Sequence, residues 1–251
     1  MKLENKKKIY LDHSATTPLD KKVLKAMLPY FSKNFGNPSS LHSFGQTAAA
    51  AVDQARQQVA GFLNCQPEEI IFTSGATEAD NLAIFGVVKA LRQATAGKFH
   101  IITSAIEHPA VLEPFNQLKE QGVEVSYLPV QKNGVVDLAV FRKSIKDNTV
   151  FVSLMYVNSE VGSIQPIREI GKIIEKINRE RAGRGSNRKI YFHTDAVQAL
   201  NFLNCDVKYL TLICCRFPVI KFTGPKAWAR YSSNQARRSR RCSWAATMKR
   251  I

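Results

Sequence analysis

Between residues 20 and 196 the apolar residues switch repeatedly between a helical spacing and a strand spacing, and this alternation constrains the fold more than any other feature of the chain. Helix-period and strand-period segments in strict alternation specify an α/β domain with a mainly parallel sheet. Asp20 can cap a first helix in which Val23, Met27, Tyr30 and Phe31 share one face, and "GQTAAAAVDQARQQVAGFL" reads as a second helix ending near Gly61. "EEIIFTS" is expected as a short strand, followed by a helix from about Glu78 to Leu91, the strand "HIITSA" and a helix from Pro109 to Glu120. The strands "VEVSYLP" and "TVFVSLMYV", a helix from Ile167 to Arg181 and the strand "KIYFHTDA" complete the series.

This order stops near residue 210. From Thr211 to Ile251 there are ten Lys or Arg and no Asp or Glu, so most of the net charge of +16 lies in this tail, which has no sustained helix or strand period. The expected organisation is therefore a domain over 1–210 and an aberrant basic tail over 211–251 that is not natively folded. The apolar stretches are far shorter than the roughly 20 residues that span a bilayer, and "MKLENKKK" lacks the apolar run of a signal peptide, so a cytoplasmic protein without a membrane partner is expected. The five cysteines form no CxxC pair and have no metal-ligand spacing, so free thiols and no metal site are expected.

Four places at the carboxyl ends of the expected strands could carry chemistry. "FTSGATEADN" sets a small-residue turn before a helix, so the amides of Gly75, Ala76 and Thr77 would form an anion site, although Ser74 could equally be a simple N-cap. Asp195 ends "KIYFHTDA", with Gln198 three residues on. Buried, that carboxylate would need a cationic partner; the alternative is an Asp that caps the next helix. Glu107 and His108 follow "HIITSA", and Asn158 follows "TVFVSLMYV". A single His in such a place serves either as a hydrogen-bonded structural residue or as a catalyst. All of these positions fall at one edge of a single expected sheet.

The blocks "YLDHSATTP", "GNPSSLHSFG", "FTSGATEADNLAI", "EHPAVLEP", "VSLMYVNSEVGSIQPI" and "HTDAVQALN", in order over roughly residues 8 to 210, resemble the cysteine desulfurases of the class V group of pyridoxal-phosphate enzymes. The resemblance implies the large domain of the aspartate aminotransferase-like transferase fold and the cofactor pyridoxal 5'-phosphate. It also implies removal of sulfur from L-cysteine, giving L-alanine and an enzyme persulfide for iron-sulfur cluster or thio-cofactor synthesis. On this reading Gly75, Ala76 and Thr77 would hold the cofactor phosphate, and His108 would stack on the ring and assist catalysis. Asn158 and Gln198 would bond the region of the 3-oxygen, and Asp195 would pair with the ring nitrogen. The implied partners are sulfur-acceptor or iron-sulfur scaffold proteins and a second copy of the chain.

The family's Schiff-base lysine lies in a pattern like S-x-H-K-x-x-G-P-K-G. Lys221 stands at its place, but Val219 and Ile220 replace the polar residues that should precede it. The family's C-terminal small domain, with its persulfide cysteine, has no counterpart in these residues, and Cys242 lies outside any family context. Suitable synonymous codons for Leu212 to Trp228, read from each third base, give D-M-L-S-L-S-S-H-K-I-Y-G-P-K-G-M, so a shifted reading frame accounts for the basic tail. Impaired or absent turnover is then expected of this chain. Two alternatives stay open: another class V enzyme, or a non-catalytic remnant whose clusters at Arg237, Arg238, Arg240 and Arg241 bind nucleic acid. A nucleic-acid partner is the less expected, because the tail contains no recognisable nucleic-acid module.

Overall fold

Parallel strands require crossover connections, and the helices expected near 109–120 and 167–181 supply two of them here. A computed structural model of the protein describes residues 9–94, 98–212, 214–216 and 232–233. The helices are α1 (Lys21–Ser32), α2 (Ser43–Leu63), α3 (Ala76–Ala94), α4 (Pro109–Glu120), α5 (Leu138–Ser144) and α6 (Ile167–Gly183). The strands are β1 (His100–Ser104), β2 (Glu124–Leu128), β3 (Thr149–Ser153), β4 (Tyr191–Asp195), β5 (Cys214–Arg216) and β6 (Ser232–Ser233).

The strands form one sheet in the order β2-β1-β3-β4-β5-β6, parallel from β2 to β5 and antiparallel at β6. The chain leaves β1 toward β2 and then returns past β1 to β3, so the winding direction reverses between β1 and β3. A reversal of this kind opens a crevice at the carboxyl ends of the two strands, because their outgoing loops diverge to opposite faces of the sheet.

Both faces of the sheet are covered at β1, β3 and β4, whose residues are buried almost throughout, polar ones included. On one face Ile101 and Phe151 pack against Ile84 and Val88 of α3 and Val111 and Phe115 of α4. On the other, Ile102, Val152 and Phe192 meet Phe141 of α5 and Ile170 and Ile174 of α6. Adjacent residues of one strand thus serve opposite cores, as the two-residue period requires.

Several boundaries differ from the sequence reading. "EEIIFTS" is not a strand: Pro67–Glu69 form a single 3-10 turn, and Ile70 to Thr73 find no pairing strand among the described residues. Strand propensity is expressed only where a neighbour completes the ladder. "TVFVSLMYV" stops as a strand at Ser153; beyond it the Tyr156 amide donates to the Asp195 carbonyl and Val157 bridges to Ile164. Helix α5, absent from the sequence reading, is only seven residues long and is fixed by Asp137, which accepts from the amides of Ala139 and Val140. Helix α1 has its expected cap at Asp20, yet none of its residues is buried and Phe31 is 71% exposed.

Beyond residue 210, β5 lies parallel to β4 with Cys214 opposite His193 and Arg216 opposite Asp195. Lys221, Cys242 and the cluster from Arg237 to Arg241 lie outside the described residues.

Candidate active site

The carboxyl ends of β1, β3 and β4 bring together residues more than 80 positions apart in the chain. His108 is the N-cap of α4, its Nδ1 accepting from the Ala110 amide at 3.1 Å while the ring stays exposed. The structural role weighed for this residue is therefore real, and it leaves a face of the imidazole available to a ligand.

Asn158 is buried and engaged at both ends. Its Nδ2 donates to the Ile106 carbonyl at 3.0 Å, and its Oδ1 accepts from the amides of Glu160 and Val161 at 2.9 and 3.0 Å. It fastens the loop after β3 to the loop after β1, across the switch point. Its second amide N–H donates to the Met155 sulfur at 3.5 Å, a weak acceptor that a stronger one on a ligand could replace.

Asp195 closes β4 and is 7% exposed. Its Oδ1 accepts the Val197 amide at 3.0 Å and opens a turn, not a helix, which corrects the helix-cap alternative. Burial pushes its carboxyl above the ordinary range, against the pull of the Val197 amide and of His108. A carboxylate so placed gains most from a cation supplied by a ligand. Gln198 lies half-buried in the same turn.

The turn before α3 is held from below. The Thr73 hydroxyl donates to the Gly75 carbonyl at 3.1 Å, and Glu78 accepts both the amide and the hydroxyl of Ser74 at 2.6 Å, which draws the Glu78 carboxyl below its usual range. Ser74 thus donates to Glu78 instead of capping the helix. Among the described residues no side chain accepts from the amides of Ala76 or Thr77, so the helix N-terminus is open to an anion.

Two further buried groups belong here: Glu107, which the sequence placed beside His108 without a role, and His193, which it did not single out. Glu107, 5% exposed, accepts from the Ser104 hydroxyl at 2.6 Å and from the Met155 amide at 2.9 Å, both at Oε1. His193 is completely buried two residues before Asp195, with Nδ1 2.8 Å from the Ser153 hydroxyl and Nε2 3.8 Å from Asp80 of α3. Burial lowers the His193 imidazole to about 3. The nearby Asp80 carboxylate would favour the charged ring, but at 3.8 Å it lies beyond hydrogen-bond reach, and the cost of burying the charge dominates. The position of Glu107 beside His108 just after a strand was the available signal; for His193, inside a strand, the sequence offered none.

The open cleft between the second half of α6 and the turn from Val207 to Leu212 includes none of these residues.

The model of the family "Aminotransferase class-V" matches residues 9–227, a stretch that includes Lys221. "Cysteine desulfurase IscS" of Methanosarcina thermophila is 47% identical over 220 residues, covering 88% of this chain and 51% of the relative. "Cysteine desulfurase, mitosomal" of Encephalitozoon cuniculi is 46% identical over 222 residues, covering 88% of this chain and 48% of the relative. Among solved structures, "NIFS-LIKE PROTEIN" superimposes with a TM-score of 0.82 at 35% identity, covering 90% of this chain and 59% of that one. "SspA in complex with cysteine" gives a TM-score of 0.82 at 35% identity, with 92% and 62% covered. The chain spans about half the length of the curated relatives it matches. With the α/β sheet, the switch-point cluster and the match over 9–227 in agreement, the chain belongs to the pyridoxal-phosphate-dependent class-V aminotransferase family.

Proposed function

We propose that this chain carries the cofactor-binding half of a cysteine desulfurase. The observation that supports this most is the gathering of His108, Asn158 and Asp195 at the carboxyl ends of β1, β3 and β4, beside a reversal of strand order. The resident residues fit pyridoxal phosphate on two independent grounds. The amides at the start of α3 suit a phosphate, and the buried Asp195 carboxyl suits a protonated ring nitrogen.

In this reading Gly75, Ala76 and Thr77 hold the phosphate, the exposed face of His108 covers the ring, and Asn158 and Gln198 serve the 3-oxygen. The bound cofactor supplies an electron sink for the substrate's α-carbon. Asp195 keeps the ring nitrogen protonated, and its burial strengthens that pairing because little water screens it. Asn158, tied to Ile106 and to the turn at Glu160, fixes the distance between the loops that flank the ring. Lys221 is assigned as the Schiff-base lysine by position, with Val219 and Ile220 where polar neighbours are expected.

The substrate assigned is L-cysteine, on the strength of the relatives' names and of the similar SspA structure with cysteine bound. Sulfur-acceptor or iron-sulfur scaffold proteins and a second copy of the chain are the partners assigned with it. No helix among the described residues is long and apolar enough to cross a membrane, and a cytoplasmic location is part of the proposal. So is the organisation into a domain over 1–210 and a frame-shifted tail over 211–251, which predicts a base inserted or deleted around codons 208 to 213.

The deciding experiment titrates the full chain with pyridoxal phosphate, follows visible absorbance, and then reduces the complex and maps the modified lysine by mass spectrometry. Saturable binding weakened by Asp195→Ala, with the adduct at Lys221, is expected. No saturable binding by the wild-type chain overturns the cofactor reading, and an adduct at another lysine overturns the assignment of Lys221. L-alanine release from L-cysteine then separates a working desulfurase from a remnant.

A further inference from the structure

Glu107 occupies the switch point itself. Its Oε1 takes one hydrogen bond from Ser104 at the end of β1 and another from the Met155 amide just beyond β3, so one side chain ties together the two strands between which the winding reverses. Its second oxygen, Oε2, is buried and has no hydrogen-bond partner among the described residues. A carboxylate spreads its charge over both oxygens, and half of that charge would here be dry and unpaired. A carboxylic acid meets the same surroundings better, with Oε1 as the acceptor and the proton on Oε2.

Its neighbours point the same way. Around Glu107 lie the Ser104 hydroxyl from β1, the Met155 amide from beyond β3, and Asp195 from β4. The charged and titratable groups acting on the two carboxyls are Asp195 on Glu107, and His108 on Asp195, where it favours the ionised form. Two carboxyls sharing one water-poor site do not both ionise readily. Asp195 ionises first, because it has the Val197 amide and His108 to stabilise its charge, and its charge then raises Glu107 further.

We propose that Glu107 is a positioning residue of this site: a carboxylic acid kept neutral at the β1/β3 switch point, which clamps the two strand ends and leaves Asp195, at the end of the neighbouring β4, as the single negative charge of the pair. The benefit to the cofactor rests on the reading above that Asp195 faces the ring nitrogen; the protonation state of the pair does not. Burial, as the larger cause, and Asp195 together raise Glu107 to about 8, which agrees with the geometry.

The test is carboxyl NMR of the full chain labelled with 13C at the glutamate side-chain carboxyl, with Glu107 assigned from the signal lost in Glu107→Gln. The expected result is a carboxyl that titrates near pH 8 and moves down by about one unit in Asp195→Asn. A Glu107 midpoint in the ordinary carboxylate range, or one that Asp195→Asn leaves in place, overturns the proposal. Should Asp195→Asn fail to fold, the wild-type midpoint decides by itself. Glu107→Gln is expected to keep the Met155 amide resonance near its wild-type position, whereas Glu107→Ala shifts it; equal shifts in both variants overturn the clamp. Saturating pyridoxal phosphate is then expected to lower the Glu107 midpoint by neutralising Asp195. Saturable binding that leaves the midpoint unmoved overturns the cofactor reading of Asp195, while the cofactor-free titration still decides the proposal.

Discussion

His193 makes the fold's response to acid measurable. The ring is completely buried, and burial depresses its imidazole from 6.5 to about 3. A base with a depressed folded value contributes stability that is fully present above its unfolded value and is lost as pH falls through the window between 6.5 and about 3. One group titrating only in the unfolded chain gives a limiting slope of about 1.4 kcal/mol per pH unit, half of it at pH 6.5, so roughly 2 kcal/mol is lost between pH 6.5 and 4.5. Glu107 works in the opposite sense. Its folded value is raised from 4.5 to about 8, so its contribution is present below 4.5 and lost as pH rises toward 8. Wild type therefore masks the His193 slope, and the difference between variants reveals it. His193→Gln keeps a hydrogen-bonding partner for Ser153 and cannot take up a proton. In urea unfolding of the full chain at constant ionic strength, its stability relative to wild type is expected to rise by about 2 kcal/mol as pH falls from 6.5 to 4.5. A difference that stays constant across this window would refute the reasoning, and would mean that Asp80 at 3.8 Å holds the imidazole protonated inside the fold.

Other perturbations probe separate parts of the structure. Phe115 and Phe151 are fully buried with ring centroids 6.1 Å apart, so Phe115→Ala is expected to lower unfolding free energy by about 3–5 kcal/mol in urea titration. Gly171 faces the turn after Leu210, where an added Cβ would stand 2.5 Å from the Leu210 carbonyl oxygen; Gly171→Ala should cost about 1–3 kcal/mol, and a neutral result would mean that the turn is not seated on α6. Asn158→Ala leaves the Ile106 carbonyl and the amides of Glu160 and Val161 without their partner, and is expected to cost about 1–3 kcal/mol and to speed amide exchange at Glu160 and Val161.

The helices were legible because their signals are local. Pro109 and Glu120 bound α4 where the sequence placed them, and the Asp20 cap of α1 is a contact between near neighbours in the chain. The failures involve partners far away. The run from Ile70 to Thr73 has strand-like composition and no neighbour to pair with among the described residues. The apolar face of α1 announces a helix, but its pattern carries no information about which surface covers it. Helix α5 escaped notice because seven residues are too few for a period to be recognised.

The candidate site divides along the same line. His108, Asn158, Asp195 and the turn from Gly75 to Thr77 could be named from the sequence because each stands at a break between periods, and because blocks of residues around them resemble one family. That the loops after β1 and β3 are bound together through Asn158 and Glu107 was decided only by the sheet, since it depends on bonds between residues about 50 positions apart. The sequence by itself determined which residues can ionise, cap or turn, because those are properties of a side chain and its immediate neighbours. The tertiary structure decided which of them are cut off from water. Burial is the largest cause shifting Glu107, His193 and Asp195, and it comes from strand order and layer packing that no single segment encodes.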